Sequence, residues 1–102
     1  MDIEWHSEAK KEFLQLPEEV QEEIGTYLDK LQEEGLQMKE TGLVHRNQPD
    51  LSFYKLKIMS EDEAINHRVA FDPRGTSFVI YKVDSRNDFY RRENLEEVKD
   101  RM

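Results

Sequence analysis

The stretch Leu51–Tyr90, LSFYKLKIMSEDEAINHRVAFDPRGTSFVIYKVDSRNDFY, constrains the fold more than any other part of the chain. β-Branched and aromatic residues alternate with polar ones in three runs, separated by turn-forming clusters, which is the pattern of an antiparallel meander. One turn is expected over Ser60-Glu61-Asp62-Glu63. The other is expected over Asp72-Pro73-Arg74-Gly75, where Pro in the second position and Gly in the fourth suit a type I turn. Side chains alternate across a strand, so the turns decide which residues share a face. Pairing Met59 with Ala64 sets Tyr54 opposite Val69, Leu56 opposite His67 and Ile58 opposite Ile65. Pairing Phe71 with Thr76 sets Val69 opposite Phe78 and His67 opposite Ile80. That face is apolar and needs a cover. The other face takes Lys55 opposite Arg68, Lys57 opposite Asn66, Arg68 opposite Val79 and Asn66 opposite Tyr81. Cations gather there beside an aromatic ring, on a face expected to lie open.

The cover lies upstream. Ile3 and Trp5 alternate with polar residues in MDIEWH, which predicts a short strand, and Ser7 is placed to cap a helix over Glu8–Gln15. Ala9, Phe13 and Leu16 share one side of that helix, and Pro17 ends it. A second helix is expected over Glu18–Glu34, where Val20, Ile24, Tyr27, Leu28 and Leu31 form a stripe and Gly35 stands at the C-terminal cap. Acids at Glu18 and Glu19 suit its positive end. The helical hairpin has the apolar face that the meander lacks, so the chain reads as one two-layer α+β domain over residues 1–102. Its order is β-α-α-β-β-β, with a small antiparallel sheet. Leu36–Asp50 has no period and reads as a connector, and RRENLEEVKDRM after Tyr90 reads as a short charged helix or a frayed end.

Composition removes several classes of function. The chain has no cysteine, which excludes disulfides and thiolate zinc sites and fits a reducing compartment. No apolar run approaches membrane-spanning length and MDIEWHSEAKK lacks a signal-peptide core, so a cytoplasmic protein without a membrane partner is expected. His6, His45 and His67 lack ligand spacing, and His67 falls on the oily face, where a hydrogen-bonded core histidine is expected. No metal and no cofactor are therefore expected. The glycines are isolated, so there is no phosphate-cradling loop, and no serine has a readable His and Asp in support.

The net charge of −8 argues against nucleic acid as a partner for the whole surface. Its distribution is uneven: residues 1–50 carry 13 acids against 5 Lys/Arg, whereas residues 51–92 carry 6 against 8. The residues left to carry chemistry are Lys55, Lys57, Arg68, Tyr81, Arg86 and Tyr90. Arginine presents a planar fork that suits phosphate, and like charges paired across strands destabilise unless solvent or an anion intervenes. On the residues alone, two readings stand: ordinary solvated charge, or an anion site.

The element order, HRVAFDPRG at His67–Gly75, VDSRNDFY at Val83–Tyr90 and the N-terminal EWHSEAKKEFLQLPEEVQEEI together resemble the RelE/ParE superfamily of bacterial toxins. The resemblance covers nearly the whole chain and is weakest over Leu36–Asp50. It implies a type II toxin that cleaves mRNA without a metal, at the ribosome in RelE-like members, through attack of a ribose 2′-OH on the adjacent phosphate. It assigns Arg68 to phosphate stabilisation, Arg86 to the arginine closing the last strand, and Tyr90 to base stacking or proton transfer. Lys55, Lys57 and Tyr81 fall where RNA would lie. It also implies a cognate antitoxin covering the basic face. His67 stands where the family often has Tyr, and the acidic total departs from the basic RNA-cleaving members. A ParE-like gyrase inhibitor and a non-toxic interaction module are the alternatives.

Overall fold

A computed structural model describes residues 1–46, 53–60 and 65–102. The elements run β1 (Asp2–Trp5), α1 (Ser7–Leu14), α2 (Glu18–Glu34), a 3-10 segment (Gly35–Thr41), β2 (Val44–Arg46), β3 (Tyr54–Met59), β4 (Asn66–Arg74), β5 (Ser77–Ser85), α3 (Arg86–Phe89) and α4 (Arg92–Arg101). They form one five-stranded sheet in the order β1-β5-β4-β3-β2. The α+β class and the helical hairpin on a sheet stand as expected. The sheet, however, is mixed, because β1 lies parallel to β5, with Ile3 beside Phe78 and Trp5 beside Ile80.

Local chemistry explains the hairpin. His6, in extended backbone, caps α1 by accepting the Glu8 N–H on Nδ1 at 3.2 Å, in place of the expected Ser7. Gln21 reaches back from α2 and donates to the carbonyls of Leu14 and Leu16, at 3.1 and 2.8 Å, which satisfies the end of α1. The bounds of α2 match the sequence expectation, and Gly35 ends it at φ +63°, a conformation that disfavours a side chain. Val20, Ile24, Leu28 and Leu31 are buried from this helix against Leu56, Ile58, Val69, Phe71, Phe78, Ile80 and Val83 of the sheet. Tyr27 adds a polar tie, its hydroxyl donating to the Met59 carbonyl at 2.8 Å.

The expected connector is partly ordered. The 3-10 segment contributes buried Met38, and β2 contributes buried Val44 and pairs antiparallel with β3. The expected turn at Ser60–Glu63 falls, beyond Ser60, outside the described residues, as does the Met59–Ala64 pairing. The register that it fed is displaced by two residues: Tyr54 faces Phe71, Leu56 faces Val69, Lys57 faces Arg68 and Ile58 faces His67. An even displacement leaves every side chain on its expected face.

The second turn also moves. β4 continues through Asp72, Pro73 and Arg74, and the chain reverses at Gly75-Thr76, with Gly75 at φ +61°. Two-residue hairpins require positive φ at such a position, and this glycine supplies it where the type I alternative would leave Pro73 outside the strand. Pro73 is tolerated because it lies beyond Tyr54, the last β3 residue paired to β4. Farther along, Ala70 pairs with Lys82 but Phe71 pairs with Ile80, so Tyr81 is an extra residue in a β-bulge. The bulge reverses the alternation of β5. Val83 therefore joins Phe78 and Ile80 on the α-helical side, while Tyr81, Lys82 and Asp84 share the other.

That other face is not open. Phe53, Ala70, Tyr81, Phe89 and Val98 form a second buried cluster with Val79 and Leu95, and the C-terminal residues that read as a short charged helix or a frayed end supply part of its cover. Only Leu95 and Val98 of α4 join this cluster, and ion pairs do the rest of the anchoring. Arg101 donates to both carboxylate oxygens of Glu12, at 2.8 and 2.7 Å, to the Tyr81 carbonyl at 2.8 Å, and to Glu97. Lys82, whose side chain is 6% exposed, lies 3.7 Å from Glu12, 3.4 Å from Glu97 and 3.8 Å from Asp84. Burial works to raise the Glu12 carboxyl, but Arg101 and Lys82 outweigh it and hold the group below its usual value.

Candidate anion-binding site

The uncovered end of the second face begins where the apolar cluster stops. There β3 carries Lys55 and Lys57, and β4 carries Asn66 and Arg68. Ser85 ends β5 and caps the single-turn α3, its hydroxyl accepting the Asp88 N–H at 3.3 Å. Asn94 closes the same turn from α4 by donating to the Asp88 carbonyl at 2.6 Å. Phe89 is driven into the second cluster by burial, so the next residue, Tyr90, is delivered to the rim with its ring edge-on to Phe89 at 5.2 Å.

Tyr90 is the meeting point. Lys55 Nζ donates to its phenol oxygen at 2.8 Å and lies 4.8 Å from the ring centre. Arg68 Nε donates to the same oxygen at 3.3 Å. Arg68 Nη1 is committed to Asn66 Oδ1 at 2.8 Å and to the His67 carbonyl at 2.9 Å. These bonds account for a guanidinium that is only 4% exposed, where an exposed arginine was expected. Burial of Tyr90 works to raise its phenol, yet the hydrogen bonds and charges of Lys55 and Arg68 prevail and hold it below the ordinary phenol value. The ring itself remains 39% exposed, so solvent reaches it. A phenol with a depressed value beside two fixed cations can accept a proton, and the cations can hold an oxyanion.

Three of the sequence candidates therefore converge: Lys55, Arg68 and Tyr90. Lys57 is directly opposite Arg68 and half-buried, which leaves it beside the group. Arg86 begins α3 and is exposed, with no contact that draws it to Tyr90 among the described residues. Tyr81 is buried under α4 in the second cluster, away from any surface that RNA could reach. The geometry adds two residues. Asn66 fixes the Arg68 fork, and its i, i+2 relation to Arg68 on one strand face is the signal that marks it. Asp84 pairs with Arg68 across the sheet, a placement hidden by the bulge, and burial holds its carboxyl above the usual value even though Lys82 pulls it down.

His67 points to the helical side, 8% exposed, opposite Ile58 and Ser85. The expected hydrogen bond is missing at Nδ1, which is buried without a partner. Burial holds the imidazole below its ordinary value, against the pull of Asp84 and with the help of Arg68. Among the described residues, no group of three His, Cys, Asp or Glu could hold a metal, and no helix is long and apolar enough to cross a membrane.

No protein-family model matches the sequence, and no curated protein matches it either. Its three-dimensional form does have a counterpart. A solved structure of the E. coli toxin RelE, a double arginine-to-alanine mutant in the free state, superposes with a TM-score of 0.69 at 18% identity. The match covers 99% of this chain and 96% of that one. The chain therefore has the RelE toxin fold, from β1 through α4, with few residues in common.

Proposed function

We propose that the chain is a type II toxin that cleaves mRNA by metal-independent transesterification, held in check in the cytoplasm by a cognate antitoxin. The observation that carries this reading is the convergence of Lys55 and Arg68 on the Tyr90 phenol oxygen. In the proposed reaction the ribose 2′-oxygen forms a bond to the adjacent phosphorus while its proton passes to Tyr90. Lys55, Lys57 and Arg68 stabilise the charge that grows on the phosphoryl oxygens. The bond from phosphorus to the 5′-oxygen breaks, the 5′-oxygen takes a proton from solvent, and a 2′,3′-cyclic phosphate remains. Arg86, exposed at the start of α3, binds the RNA backbone rather than the reacting phosphate. An antitoxin that covers the Lys55–Tyr90 rim would block the site.

The net charge of −8 favours a second reading, a ParE-like inhibitor that works by protein contact. One experiment separates them. Purified protein is added to a bacterial translation extract with an mRNA carrying single 2′-deoxy substitutions at mapped cut sites. Cleavage that ends in a cyclic phosphate and stops at each deoxy position supports transesterification. Intact RNA together with inhibited gyrase supports the contact inhibitor.

A further inference from the structure

Arg68 spends Nη1 on Asn66 and on the His67 carbonyl, which fixes its plane and aims Nε outward. Nε then meets the Tyr90 phenol oxygen, and so does Lys55 Nζ. A single protein oxygen thus sits between two cations, with the donor geometry that a phosphate oxygen takes between lysine and arginine. We propose that Tyr90 is an internal stand-in for the substrate phosphate: it occupies the anion position in the free protein, and a phosphate enters by exchanging with the phenol. This inference rests on the rim being a phosphate site.

Packing makes the exchange feasible. Phe89 is fully buried and anchors α3, whereas Tyr90 is the exposed residue at the end of that helix. Turning its ring aside gives up one edge-on contact with Phe89 but removes no member from either apolar cluster, because Tyr90 belongs to neither. Charge supplies the direction. An ionised phosphate accepts from Lys55 and Arg68 with roughly twice the strength of a neutral acceptor. The released phenol then lies beside the bound phosphate with the two donors that depressed it withdrawn, so its value rises towards that of ordinary tyrosine. The contact also keeps the buried Arg68 Nε satisfied while no ligand is present.

The test is calorimetric titration of the full chain with inorganic phosphate in low-salt chloride buffer, for wild type, Tyr90→Phe and Lys55→Gln. Tyr90→Phe retains the ring and its contact with Phe89 but lacks the competing oxygen. It should bind phosphate about tenfold more tightly than wild type, or ~1.4 kcal/mol, and Lys55→Gln should lose most of the binding. In parallel, the Tyr90 phenol, followed as the difference between wild-type and Tyr90→Phe ultraviolet titrations, should move up towards the ordinary tyrosine value when phosphate is present. Equal or weaker binding by Tyr90→Phe, or a phenol indifferent to phosphate, overturns the stand-in and leaves the phosphate site intact. Absence of phosphate binding by both proteins overturns the stand-in together with the site.

Discussion

Removing Arg101 tests how the C-terminal helix is held. In wild type the cluster contains two cations, Lys82 and Arg101, and three carboxylates, Glu12, Asp84 and Glu97. Arg101→Ala removes both bonds to Glu12, the bond to the Tyr81 carbonyl and the contact with Glu97, so three carboxylates share the single ammonium of Lys82. Breaking a buried pair from one side costs about 3–5 kcal/mol. The side chains of Glu12 and Glu97 are 34% and 42% exposed, and water therefore takes up part of the released charge. A loss of about 2–3 kcal/mol is expected after that screening. With an m-value of about 1–3 kcal/mol/M, the urea midpoint should fall by about 0.7–3 M in unfolding followed by circular dichroism. Hydrogen exchange should report that α4 amides open first, because only Leu95 and Val98, the Lys82–Glu97 pair and the Asn94 bond to the Asp88 carbonyl remain to hold it. A loss below about 0.5 kcal/mol would mean that the cluster behaves as ordinary surface charge, and the anchoring argument would be wrong.

Two further predictions concern the helical side of the sheet. Leu28→Ala, at a position 6% exposed in the main core, should cost about 2–5 kcal/mol in chemical denaturation, and a change under about half a kcal/mol would contradict the packing. Burial holds the His67 imidazole below its ordinary value in the folded protein, so the unfolded chain binds the proton more readily. Its contribution to stability is complete above that value and is lost as pH falls from there through the folded value. The wild-type melting temperature should fall between pH 7.5 and 5.5 more than that of His67→Gln, and parallel curves would refute the burial of a neutral imidazole.

The parts of the fold that were legible in the sequence are those governed by local periodicity. The stripe of α2 and its glycine cap gave its bounds, and alternation in β3 and β4 gave the correct faces even with their mutual register displaced, because that displacement was even. The bulge at Tyr81 was missed for a definite reason. Ile80 and Val83 are both apolar at an odd separation, a break in alternation that only a bulge reconciles with a single buried face, and it moves Asp84 beside Arg68. β2 spans three residues, too short for a period to register. α4 was legible as a short charged helix, but its docking was not, because the anchorage is ionic and non-local: Arg101 meets Glu12, 89 residues away in the chain. The burial of the rim arginine followed from the same omission. As an exposed residue, Arg68 was expected to leave stability nearly unchanged on mutation. With four per cent exposure and three hydrogen bonds, Arg68→Ala should also destabilise the fold.

That double effect makes Tyr90→Phe the cleaner probe of function, since it removes one exposed oxygen and leaves the Arg68 bonds to Asn66 and His67 in place. The most direct test of catalysis at this rim is induction of wild type and Tyr90→Phe in a bacterial host, with growth followed and mRNA 5′ ends mapped across the transcriptome. Wild type should arrest growth and create new 5′-hydroxyl ends within coding sequence, and Tyr90→Phe, at equal protein level, should do neither. Equal arrest and the same ends from both proteins would contradict a reaction carried by the Lys55–Arg68–Tyr90 group.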